Sequence, residues 1–128
     1  MIYCLPLFGG CEKYLIKDLQ ILQNKAAQIV CHLPPRTSRT ELYDKVQWLT
    51  VNQLIVYHTL IIIFKVRKNN EPEYLASKLK NDTRTGHILI PNVKLGLAQN
   101  AFTIRGSENW NSLPENIRHK LKIGTFKK

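Results

Sequence analysis

Acidic residues are scarce in this 128-residue chain. Nine Asp and Glu face nineteen Lys and Arg, for a formal net charge of +10. The nine are scattered, so the paired carboxylates of acid–base catalysis and the adjacent Asp-Asp of two-metal polymerase chemistry are both missing. Cysteine is equally sparse. Three residues, an odd number, exclude a disulfide scaffold and point to a reducing, intracellular setting, nuclear or cytoplasmic. Six Gly and six Pro exclude a collagen-like or low-complexity chain. The longest apolar stretch, Val51 to Phe64, is broken by Asn52, Gln53, His58 and Thr59. It falls short of the roughly 18–20 residues a membrane span needs, so no membrane partner is expected.

Motifs of known chemistry are also missing. There is no G-x-S-x-G elbow and no G-x-x-x-x-G-K-[ST] phosphate loop. Cys4, Cys11 and Cys31-His32 lack the two-to-four-residue spacing of a zinc site, and Cys31 reads as a buried free thiol. His58 reads as a core or boundary histidine, while His87 and His119 belong to no pattern. Gly9-Gly10-Cys11 has the form of a lipoprotein cleavage site, but Phe8 stands where an aliphatic residue is wanted and Met1 to Phe8 has no basic leader. These absences argue against a complete active site in the chain.

What is present is helix. An apolar share of 44% against 22% charged is that of a globular protein. Leu15, Leu19, Leu22, Ala26, Ile29 and Leu33 recur at three- and four-residue steps and predict a helix over residues 12–33. These side chains form its core face, with Lys13, Lys17, Gln20, Asn24 and Gln28 opposite. Pro34-Pro35 ends it. Ser38-Arg39-Thr40-Glu41 is a capping box for a short helix with Leu42, Tyr43 and Val46 inward. Thr50-Val51-Asn52-Gln53 is a second box, with Leu49 placed to staple near Leu54. The helix it opens is apolar nearly all round through Phe64, which predicts the central, most buried helix of a bundle.

Downstream, Pro72 suits the first residue of a helix through Leu79, and Lys80 to Gly86 reads as a polar loop. His87 to Leu97 reads as extended, an edge strand that Ala101 to Ile104 would partner, with Arg105-Gly106 at a turn. Ser107 is placed to cap a short helix carrying Trp110, and Pro114 to start another with Ile117 and Leu121. The expected fold is mainly α, a small helical bundle with a minor extended or β-hairpin element in the second half. Residues 1–80 form the bundle in this reading. Residues 81–128 form a basic extended and short-helix segment packed on it, incomplete at its carboxy end.

Charge is uneven along the chain. Residues 1–64 carry a net +2 and residues 65–128 a net +8, the signature of an anionic partner for the second half. Phosphate neutralisation needs Lys and Arg on one surface, with aromatic rings nearby for base contacts. The candidates are Lys65, Arg67, Lys68, Lys78, Lys80, Arg84, Arg105, Arg118, Lys120 and Lys122, continued by Lys127 and Lys128. Tyr74, Phe102 and Trp110 are interleaved, and Trp110 is expected to pack the core rather than face a ligand.

Particular strings add a resemblance. Leu19-Gln20 with Gln23-Asn24-Lys25-Ala26-Ala27 resembles the L-Q-x-x-Q-N-K-A segment downstream of the polymerase core in jockey-type non-LTR retrotransposon reverse transcriptases. Trp48-Leu49-Thr50-Val51, Phe64-Lys65, Pro72-Glu73-Tyr74-Leu75 and Thr83-Arg84 follow in that family's order. So do Phe102 through Arg105-Gly106, Trp110-Asn111-Ser112-Leu113-Pro114 and Ile117-Arg118, and Phe126-Lys127-Lys128 resembles the start of a closing basic helix. Phe8-Gly9 stands where the family has Trp-Gly, and Gln28 where it has Arg. The family's endonuclease, fingers, palm and Tyr-x-Asp-Asp motif are absent. The resemblance implies a truncated, non-catalytic C-terminal fragment whose parent is an RNA-directed DNA polymerase, with Mg2+ belonging to that polymerase domain and no cofactor here. It implies RNA or DNA as partner, together with the missing polymerase domain. The alternatives are a helical protein-interaction module or an inert translated remnant.

Overall fold

The structure, a computed structural model, describes residues 4–119. It is 63% helical, with eight helices and no strand among the described residues, so the fold is mainly α. The chain divides into two compact units, Met1–Ile55 and Val56–Lys128. The division falls inside the long fourth helix.

The first unit holds α1 (Leu5–Phe8), α2 (Lys13–Val30), α3 (Arg39–Val46) and the start of α4 (Val51–Asn69). The Thr50 capping box forms in full, whereas at Ser38 only the serine half forms and the Glu41 carboxylate faces Lys45 instead. Ser38 Oγ accepts from Glu41 N at 3.3 Å. Thr50 Oγ1 accepts from Gln53 N while Gln53 Oε1 accepts from Thr50 N at 2.9 Å, which satisfies backbone donors at each helix start. Leu5, Val51 and Ile55 make the buried apolar cluster, with Ile16, Leu19 and Leu54 against it.

The buried face of α2 is not the leucine face. Gln23 and Ala27 are its buried residues, whereas Leu15, Leu22 and Ile29 are 43%, 59% and 73% exposed. The expected core stripe is therefore corrected by about a third of a turn. Polar chemistry sets the rotation. Gln20, Gln23 and Asn24 surround the Tyr43 hydroxyl, which donates to Asn24 Oδ1 at 2.7 Å and takes a hydrogen bond from Gln20 Nε2. Gln20 Oε1 accepts from Val51 N at 2.9 Å, and Gln23 Nε2 donates to the Leu49 carbonyl at 2.8 Å. One face of α2 thereby ties α3 and the first turn of α4 together, and its three amides leave little orphaned polarity. Cys31, expected to be buried, caps α2 and is half-buried.

The second unit is built on the rest of α4 with α5 (Glu73–Lys78), α6 (Gly96–Gln99), α7 (Phe102–Asn111) and α8 (Glu115–Arg118). Ile63, Phe64, Val66, Leu79, Ile88 and Trp110 form its core, joined by Phe102 and Leu113. Three expectations are corrected here. Residues 102–104, expected as a strand, begin α7, and Arg105-Gly106 lies inside that helix rather than at a turn. Gly106 is there for proximity: a Cβ on it would stand 2.5 Å from Ile63 Cδ1, so α7 approaches α4 closely only because glycine has no side chain. Ser107, expected as a cap, is buried within α7 and donates to the Thr103 carbonyl at 2.6 Å.

The extended element exists one segment earlier. Asn81 and Ile88 form an antiparallel bridge, with Leu89 N donating to the Lys80 carbonyl and Asp82 N to the His87 carbonyl. Asp82 closes the turn by accepting from Arg84 N at 2.9 Å and Thr85 Oγ1 at 3.0 Å, and Gly86 takes the left-handed conformation at φ 68°. The expected polar loop is thus a hairpin with Arg84 near its tip.

Candidate nucleic-acid interface

The candidate cations among the described residues all lie in the second unit. Lys65, Arg67 and Lys68 end α4, where positive charge suits the helix dipole. Lys78 ends α5 one turn after Tyr74. Lys80 and Arg84 lie on the hairpin, Arg105 on α7 and Arg118 at the end of α8. Lys65, Lys68, Lys78, Lys80 and Arg84 are exposed, whereas Arg67, Arg105 and Arg118 are half-buried. Lys120, Lys122, Lys127, Lys128 and Leu121 lie outside the described residues.

The aromatic residues separate by burial. Trp110 is 2% exposed and Phe102 packs against the same core, whereas Tyr74 is 70% exposed. Of the three, Tyr74 presents a ring to solvent beside a cation.

The three half-buried arginines differ from the lysines in kind. Arg105 Nε donates to the Asn100 carbonyl at 2.9 Å and lines an open groove of about 580 Å³ with Asn92, Gln99 and Glu108. Arg67 sits over the Trp110 ring, its Cζ 4.9 Å from the centroid, a cation–π contact. Burial, and then the positive charge of Arg118, hold the Arg67 guanidinium below its usual range. Arg118, 51 positions away in sequence, thus acts on the charge of Arg67. Spacing in the sequence gave no sign of that influence. The polar cluster on α2 was equally hidden, although its residues Gln20, Gln23 and Asn24 are the polar letters of the L-Q-x-x-Q-N-K-A string.

Among the described residues no group of three or more His, Cys, Asp or Glu converges as a metal site. Nor is any single helix there long and apolar enough to cross a membrane. No protein-family model, curated protein or solved structure matches the chain.

Proposed function

We propose that the chain is a non-catalytic C-terminal fragment of a non-LTR retrotransposon reverse transcriptase and that it binds RNA or DNA through backbone phosphates. The carrying observation is the net +8 of residues 65–128, much of it on side chains open to solvent at Lys65, Lys68, Lys78, Lys80 and Arg84. Tyr74 beside Lys78 adds a ring on which a base can stack. The ordered strings over nearly the whole sequence support the family assignment. In this reading the parent is an RNA-directed DNA polymerase whose Mg2+ sits in the polymerase domain, and the chain works in the nucleus or cytoplasm.

Binding of this kind is largely independent of sequence and follows counterion release. Neutralising roughly four to six phosphates gives log K against log salt a slope of about −4 to −5. Fluorescence anisotropy with labelled RNA and DNA oligonucleotides across a salt series measures it. A slope near zero, or no binding at low salt, overturns the proposal.

A second reading, a helical protein-interaction module, is favoured by the apolar face of α2, where Leu15, Leu22, Ile29 and Val30 are exposed. Sedimentation equilibrium separates the two. A clean monomer that binds nucleic acid supports the first reading, and self-association without nucleic-acid affinity supports the second.

A further inference from the structure

One face of α2 is apolar, continuous and open. Tyr14, Leu15, Ile21, Leu22 and Ile29 are each 40–73% exposed, and at 100° per residue they fall within a stripe about 120° wide. The stripe lies on the side of α2 away from the buried Gln23 and Ala27. Single exposed apolar residues are ordinary, whereas a contiguous stripe of this kind marks an interaction surface. Two charges stand in its midst, Asp18 and Lys25, and both are exposed. The residues three and four positions from Asp18 are Tyr14, Leu15, Ile21 and Leu22, and those around Lys25 are Ile21, Leu22, Gln28 and Ile29. Neither charge therefore has a counterpart on its own helix. No described residue forms an ion pair with either.

The order of these residues decides what covers them. Leu15 and Ile29 each lie seven positions from Leu22, while Asp18 lies four before it and Lys25 three after. The pattern thus reads nearly the same in both directions, except that the sign of the charge reverses. Laid antiparallel on itself about Leu22, the stripe sets Leu15 against Ile29, Leu22 against its own copy, and Asp18 beside Lys25 twice over. A parallel copy sets Asp18 on Asp18 and Lys25 on Lys25. Lone charges in an apolar seam cost stability and fix register and orientation, and a two-fold axis uses each contact twice. We propose that a second copy of this chain covers α2, antiparallel, with Asp18 of each copy paired to Lys25 of the other. This rests on the protein-interaction reading above and names its partner, whereas nucleic-acid binding by the second unit does not depend on it. From Tyr14 to Ile29 the stripe runs about 22 Å. Specific interfaces bury roughly 1,200–2,000 Å², and a seam this short lies at or below their small end, so the dimer should be reversible with a dissociation constant on the order of 10 μM.

Sedimentation equilibrium of the full chain, at concentrations spanning that constant, should show a monomer–dimer equilibrium. Leu22→Glu places two carboxylates on the axis and should abolish it. Asp18→Lys and Lys25→Asp should each weaken dimerisation by about tenfold or more, because each sets like charges together twice. Lys25→Asp also lowers the net positive charge, so general repulsion between chains predicts the opposite sign for it. The double variant Asp18→Lys/Lys25→Asp should restore the dimer, as should an equal mixture of the two single variants. Should Leu22→Glu not fold, the charge variants carry the test alone. A monomer at every concentration overturns the proposal. So do single charge variants that dimerise as well as their parent, or a double variant that fails to restore the dimer. An apolar dye separates this failure from that of the broader reading. A monomer that binds the dye, and loses it with Leu22→Glu, overturns the second copy and retains an interaction face for a different partner. A monomer that binds no dye removes both. Oligonucleotide binding by Leu22→Glu at the affinity of the unsubstituted chain leaves the nucleic-acid proposal standing in either case.

Discussion

Asn111 holds the backbone of Ile88 from both sides: its Oδ1 accepts from Ile88 N at 2.8 Å and its Nδ2 donates to the Ile88 carbonyl at 2.9 Å. A side-chain amide thus takes the place of a neighbouring strand and docks the hairpin on the end of α7. Asn111→Ala leaves both buried backbone groups without partners and should cost about 2–4 kcal/mol. Urea unfolding measures the loss. Asn111→Asp keeps the acceptor and removes the donor, and should fall between.

Gly106 and Ile63 should show a reversal of sign. Alone, Gly106→Ala forces a methyl to 2.5 Å from Ile63 Cδ1 and should destabilise by about 1–3 kcal/mol. Ile63→Val removes that δ-methyl. In its background the alanine should become neutral or stabilising by up to about 1 kcal/mol, through helix propensity. A double-mutant cycle from thermal or urea melts reads the coupling.

Tyr43 ties stability to alkaline pH. Burial raises its phenol above the usual 10.0, against the opposing pull of the Gln20 hydrogen bond and the Arg39 charge. A raised pKa means that the folded state keeps its proton after the unfolded chain has lost it. The Tyr43 contribution is therefore complete below about pH 10 and lost as pH rises through the higher folded value. Urea midpoints followed from neutral to alkaline pH should fall more steeply for the unsubstituted chain than for Tyr43→Phe.

Asp82 makes the opposite link. The Arg84 amide and then the Thr85 hydroxyl hold its carboxyl below the usual 3.8. The hairpin turn should be intact above that pH and loosen as pH falls through the lower folded value. Carboxyl chemical shifts followed through an acid titration give the midpoint directly. Thr85→Ala should move it part of the way back toward 3.8.

Local chemistry was legible in the sequence, and chemistry between distant segments was not. Ser38 and Thr50 announced helix starts because a cap involves residues three apart, and both are found where expected. The face of α2 was misread for the opposite reason. Leucine periodicity is a local signal, whereas the partner of Gln20 and Asn24 is Tyr43, 19–23 positions away. A buried amide cluster leaves the same polar letters in the sequence as a solvated face. Gly106 misled in a similar way, since glycine marks a turn and a close helix approach alike, and only the position of Ile63 tells them apart. The cations of the candidate interface were readable as residue types. Their division into exposed side chains, Arg84 among them, and the half-buried Arg67, Arg105 and Arg118 needed coordinates.

The long helix α4 has a consequence for how the protein comes apart. Val51 and Ile55 belong to one core, and Ile63, Phe64 and Val66 to the other, on a single uninterrupted helix. The i to i−4 hydrogen bonds between Ile55 and Ile63 are the ones that join the two parts of this helix. Melting of either core would fray α4 into its neighbour. Amide protons in the middle of that helix, near Thr59, should exchange only through an opening shared by both units.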